Sequence, residues 1–153
     1  MGLRLAYRGF VTGLAGGYVW AAIAMLLGGL VHGDPLAPLR PIAMAITPVA
    51  GSAELAFVLG LAVVQAGAGL VGMIFAYFFA RFFTVRRTLA IAAPVVALLA
   101  WTLIASALAA SGQAPVLAAE IIPIAATLGY GLLLGAGVPV RPEVTRQSGS
   151  PST

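Results

Sequence analysis

Glu120 is the residue whose type and setting point most directly to chemistry. It lies about one turn inside an apolar stretch, and Pro123, Ile124, Thr127 and Gly131 follow it on one helical face. An acid in such a stretch is a candidate for a proton or ion path, because an ionised carboxylate is costly in hydrocarbon. Its structural alternative is an ion pair near the membrane surface, with Arg40 as the best partner and His32 the second. Gln65 falls near the middle of another apolar stretch, where an unpaired amide is costly. It is expected to bond across to a neighbouring helix. His32, Asp34, Arg40, Glu54 and Glu120 could gather as one polar cluster under a single membrane surface. Such a cluster could take a small cation or a quinone headgroup, but a fold-stabilising ion-pair network is the leading expectation.

Other chemistries are excluded by what the chain lacks. It has no cysteine and no lysine, which removes disulfides, thiolate metal sites, cysteine nucleophiles and Schiff-base catalysis. One histidine cannot supply paired axial ligands to a haem, so no intrinsic cofactor and no metal are expected. Any bound lipid or quinone would come from neighbouring subunits. No catalytic residues are assigned, since a hydrolytic or transferase site needs several polar groups converging in one place. The chain is therefore not expected to be an enzyme. The net charge of +4 has no basic face behind it, so nucleic acid is not an expected partner.

The elements that must position these residues are legible from hydropathy. Hydrophobic residues make up 61% of the 153 and charged residues 8%, against about 25% charged in soluble domains. Four apolar stretches, 10–31, 55–80, 88–110 and 116–138, each hold about 22 to 26 residues, where roughly 20 cross a bilayer core. With no water to satisfy backbone groups, such stretches must be helices. Arg4 and Arg8 precede the first stretch. Arg81, Arg86 and Arg87 lie between the second and third, and Arg141 and Arg146 come after the fourth. Only Arg40 falls in the other two connections. By the positive-inside rule this predicts an all-α, four-transmembrane-helix bundle with both termini cytoplasmic. Residues 1–138 form the membrane domain and 139–153 a flexible cytoplasmic tail. Met1–Phe10 reads as the start of a retained first helix rather than a signal peptide, because the apolar run after it is too long. The connection from His32 to Glu54 carries Pro35, Pro38, Pro41 and Pro48. Its apolar middle, Ile42–Ile46, predicts a short segment lying at the interface or tucked against the bundle. Arg81, Arg86 and Arg87 act as a cytoplasmic anchor. Beside them Phe75, Tyr77, Phe78, Phe79, Phe82 and Phe83 form an aromatic collar suited to lipid or to a partner protein. Pro94 is expected to kink the third helix.

Small residues recur at intervals of four. Gly9, Gly13, Gly17 and Ala21 line the first helix; Ala68, Gly72, Ala76 and Ala80 line the second; Thr127, Gly131 and Gly135 line the fourth. Such stripes let helices approach closely inside a membrane, where no hydrophobic drive brings them together. Packing within one bundle is the first expectation. The second is that one stripe, above all that of the first helix, docks on a neighbouring subunit.

In size and number of spans the chain resembles the small multidrug transporters. That family carries an acid in the middle of its first helix, where this chain has Gly13-Leu14-Ala15-Gly16-Gly17. The departure falls on the residue that would carry transport. The composition is also similar to that of small four-helix accessory subunits of respiratory and photosynthetic complexes. Expected, then, is a non-catalytic accessory subunit in a larger bacterial inner-membrane complex, acting by helix packing and anchoring, with lipids and other membrane subunits as partners. A bacterial source is read from the arginine-only basic charge and the Ala, Gly, Leu and Val richness. The alternative is a small homo-oligomeric transporter or channel using Glu120 and Gln65. A third option is a membrane enzyme acting on a lipid-soluble substrate at the polar cluster.

Overall fold

The computed structural model describes residues 2–47, 52–79, 82, 85–110 and 121–138. Among them the chain forms five α-helices and no strand. Three of the helices are long and apolar enough to cross a membrane.

The first, α1, runs Gly2–His32. It begins well before the apolar stretch at Phe10, because no breaker separates Leu3 to Gly9 from that stretch. Arg4, Tyr7 and Arg8 therefore stand on its exposed first turns. It ends where Gly33 takes a positive φ of 70°, a conformation glycine adopts without steric cost. A turn comes next. The Asp34 carboxylate accepts from the Leu36 N–H at 3.0 Å and also pairs with Arg40. This turn delivers the short helix α2, Arg40–Ile46, with Pro41 in its first turn. α2 is tucked against the bundle: Leu39, Ile42 and Ala43 are buried, and the Leu39 backbone sits where a side chain on Gly60 would be.

Ser52 caps the next helix, α3, which runs Ala53–Ile74, and its hydroxyl accepts from the Leu55 N–H at 3.2 Å. The second apolar stretch was expected to remain α-helical to Ala80. It instead widens into a π-helical turn at Phe75–Phe79. There Phe75 and Ala76 are buried while Tyr77, Phe78 and Phe79 are exposed. α4, Arg86–Ala110, contains Pro94. Thr102 and Ser106 on its exposed side return their hydroxyls to the carbonyls of Leu99 and Thr102, which satisfies them without a partner helix. α5, Ile121–Gly137, is the described part of the fourth stretch; residues 111–120 lie outside the described residues, as does the tail.

The helices run alternately up and down. Gly9, Gly13 and Gly17 of α1 face Gly72, Ala68 and Gln65 of α3, in reverse order. Gly131 and Gly135 of α5 face Pro94 and Ala90 of α4, again reversed. α1 and α5 cross-link through Trp20 and Thr127, and Gly137 comes against Thr12. Arg4, Arg8, Arg86 and Arg87 therefore share one end of the bundle, and His32, Asp34, Arg40 and Glu54 the other. Packed pairs are α1 with α3, α4 with α5, α1 with α5, and α2 with α3. α3 and α4 do not form such a pair, so the bundle is open along that side.

Candidate functional site

The open side is concave. It encloses a cavity of about 140 Å³. Val63, Val64, Gly67 and Val71 of α3 form one wall, and Ala97, Ala100, Trp101 and Ile104 of α4 the other. Trp20, Thr127 and Tyr130 line it from α1 and α5, and Ile42 from α2. The helices are kept apart here by side-chain bulk. Valines on α3 and Trp101 and Ile104 on α4 prevent the backbone approach that glycines permit elsewhere.

Three aromatic residues and Thr127 carry the polar side-chain atoms of the cleft. Trp20 Nε1 donates to Thr127 Oγ1 at 3.0 Å, a buried bond between residues 107 apart in sequence. Tyr130 Oη donates to the Ala68 carbonyl at 2.8 Å and so ties α5 to α3. Trp101 stacks obliquely on Trp20, with ring centroids 5.6 Å apart and planes at 41°. Its Nε1 is buried and has no hydrogen-bond partner among the described residues. An unpaired buried donor typically costs about 1–3 kcal/mol.

Gln65 lies on the other face of α3, against α1. In the amide orientation that matches donors to acceptors, it donates to the Leu14 carbonyl at 2.8 Å and accepts from the Tyr18 N–H at 3.2 Å. Both partners are backbone groups of a helix, so the amide is held by structure and does not face the cleft. Gly9 and Gly13 bring α1 so close to α3 that a side chain on either would strike the Gly72 or Ala68 carbonyl. Ala21 is buried on the same helix. At Gly9, Gly13 and Gly17 this stripe is thus covered by α3 of the same chain, the packing within one bundle that was the first expectation. Of the second stripe, Ala68, Gly72 and Ala76 are its counterpart, while Ala80 lies outside the described residues. The third stripe divides, with Thr127 turned to Trp20 and Gly131 and Gly135 to α4.

The polar cluster does not assemble among its described members. Arg40 Nη1 pairs with Asp34 Oδ2 at 3.0 Å, both partly exposed. The turn that leads into α2 sets up this local pair. His32 and Glu54 are exposed and bond no described residue. Glu120 lies outside the described residues. At the opposite end Arg86 Nη1 donates to the Ala136 carbonyl at 2.7 Å, close to the end of α5, where a cation is favoured. Arg87 is exposed, and Arg81 and Phe83 lie outside the described residues. Tyr77 and Phe78 meet edge to face, with centroids 4.8 Å apart, and Phe75 stacks on Phe79 at 6.1 Å.

Sequence reasoning missed Tyr130 and Trp101. Tyr130 had a signal: it is a tyrosine flanked by Gly129 and Gly131 in mid-stretch, far from the interfacial belt where tyrosine normally sits. Trp101 likewise stands deep in its helix. No protein family, curated protein or solved structure matches this chain.

Proposed function

We propose that this protein is a non-catalytic accessory subunit of a larger bacterial inner-membrane complex, of the energy-converting kind, and that it acts by packing and anchoring. The observation that carries this reading is where the interior polar groups are spent. Trp20, Thr127, Tyr130 and Gln65 are all engaged in helix-to-helix bonds. Arg86 reaches across to a neighbouring helix. Groups that a transporter would turn toward a water path are here holding helices together. The surface offered to a partner is the aromatic group at the arginine end, where Tyr77, Phe78, Phe79 and Phe82 are all exposed. Aromatic residues are favoured at interface cores, and arginines at the same level fix the depth of the chain.

In this reading α1, α3, α4 and α5 all cross the bilayer, with the arginine end in the cytoplasm. The arginine distribution and the up-down helix order support it. Because the chain has no cysteine, single cysteines can report the orientation. A membrane-impermeant thiol reagent applied to intact cells should label Glu54→Cys and spare Leu3→Cys; the reverse pattern would invert the orientation. Purification in a gentle detergent followed by native mass spectrometry tests the function itself. A stoichiometric membrane partner is expected, and a clean monomer or homo-oligomer would sink the proposal.

A further inference from the structure

We infer that the cleft between α3 and α4 is a binding site for a lipid-soluble, single-ring carbonyl compound, for which a benzoquinone with an apolar tail is a simple representative. The inference does not depend on the accessory-subunit reading, whose partner surface lies at the arginine end.

Size sets the first limit. The cavity measures about 140 Å³. A dry apolar cavity of about 150 Å³ accommodates one benzene ring. A helix, at roughly 10 Å across with its side chains, is far too large. The lining sets the second limit. Two indoles and a phenol contribute flat faces, and the other walls are aliphatic, which suits a planar apolar ring. The third limit is the donor on Trp101. Trp101 is only partly buried and lines the open space, with its Nε1 closed off from that space in the empty cleft, so presenting the N–H to an occupant requires a turn of the indole. Its N–H lacks an acceptor among the described residues, while Trp20 and Tyr130 already have theirs. A ring bearing a carbonyl oxygen supplies what is missing. Because α3 and α4 do not pack together, a tail can leave between them toward lipid. Gly67 widens the passage, since a Cβ placed there would meet nothing within 4 Å. The carbonyl could also belong to a lipid ester. The ring-sized volume and the aromatic walls favour the ring, and the experiment separates the two.

Both tryptophans of the chain line the cleft, so intrinsic fluorescence reports its occupancy directly. The full chain in phosphatidylcholine nanodiscs is titrated with decyl-benzoquinone, and decylbenzene and methyl decanoate are added as competitors. The expected result is saturable quenching by the quinone, with both competitors at least tenfold weaker. Trp101→Phe keeps an aromatic ring and removes the donor, and should weaken the quinone about tenfold, with Trp20 as reporter. Gly67→Leu should abolish saturable quenching while helicity and melting are retained. Ala100→Leu fills the cleft from the opposite wall and serves if Gly67→Leu does not fold. Linear, unsaturable quenching would overturn the inference. So would equal competition by decylbenzene or methyl decanoate, unchanged affinity in Trp101→Phe, or parental binding in the filled-cleft variants.

Discussion

Helix α3 meets its neighbours in two opposite ways. Along α1 it lies backbone to backbone, with Gly9, Gly13 and Gly72 leaving no room for a side chain on any of them. Along α4 it makes no such seam, and Val63, Val64, Val71, Trp101 and Ile104 border a cavity. The difference teaches what decides contact in a helix set where apolar residues gain nothing by leaving lipid. Small residues at intervals of four permit dispersion contacts along a whole seam. Large residues facing each other hold their helices at arm's length unless they interdigitate. The closed seam is therefore the structural element and the open side the place left for something else. Tyr130 connects the two, for it packs over Gly16 of α1 and also bonds the Ala68 carbonyl beside the cleft.

The contrast can be broken most severely at the closed seam. Gly72→Leu would drive a side chain into the Gly9 carbonyl and the Gly13 backbone. A loss of about 3 kcal/mol or more is expected, at or beyond the upper end of ordinary overpacking. Reversible unfolding in mixed micelles measures it, and a loss under about 1 kcal/mol would mean the seam yields. Thr127→Val comes next. It keeps the shape and strands the buried Trp20 N–H, with an expected cost of about 1–3 kcal/mol. In a double-mutant cycle with Trp20→Phe, the two losses should sum to more than the double variant shows. Tyr130→Phe keeps the ring over Gly16 and loses only the bond to Ala68, at an expected cost of about 1 kcal/mol. The smallest effect belongs to the far end. Asp34→Asn weakens a partly exposed pair with Arg40 and should cost under about 1 kcal/mol, less still at high salt. A larger loss there would make the turn, rather than the seams, the element that holds α2.

Much of the closed seam was legible in the chain, and almost none of the open side. Gly9, Gly13 and Gly17 announce a close approach by their spacing alone, and so do Ala68, Gly72 and Ala76. That one stripe faces the other is a matter of tertiary order, which spacing does not encode. The same limit explains why the first stripe could be read as a docking surface for another chain. Helix ends were less legible. Arg4 and Arg8 look like a flank outside the first span, yet the helix continues through them because long arginine side chains can reach water from a helical turn. The π-helical turn at Phe75–Phe79 leaves no mark in hydropathy, since its residues remain apolar and helical. The cleft depends on which helices fail to touch, and its polar contacts join residues as distant as Trp20 and Thr127. Of the candidate site, Gln65 stands in mid-bundle against α1, whereas His32 and Glu54 point to solvent or headgroups and form no cluster.

The central claim is that α3 has one sealed side and one vacant side, and one pair of substitutions tests it directly. Gly13→Leu and Gly67→Leu make the same change on facing helices, the first in the seam and the second in the cleft. Their unfolding free energies should move apart. Gly13→Leu should lose about 3 kcal/mol or more, because its side chain meets the Ala68 carbonyl and the Gly69 backbone. Gly67→Leu should be neutral or gain up to about 1 kcal/mol, since a Cβ there meets nothing within 4 Å, the rest of the side chain enters the cleft, and leucine favours the helix over glycine. Equal losses at both positions would contradict the account, for they would mean that the side facing α4 is closed as well.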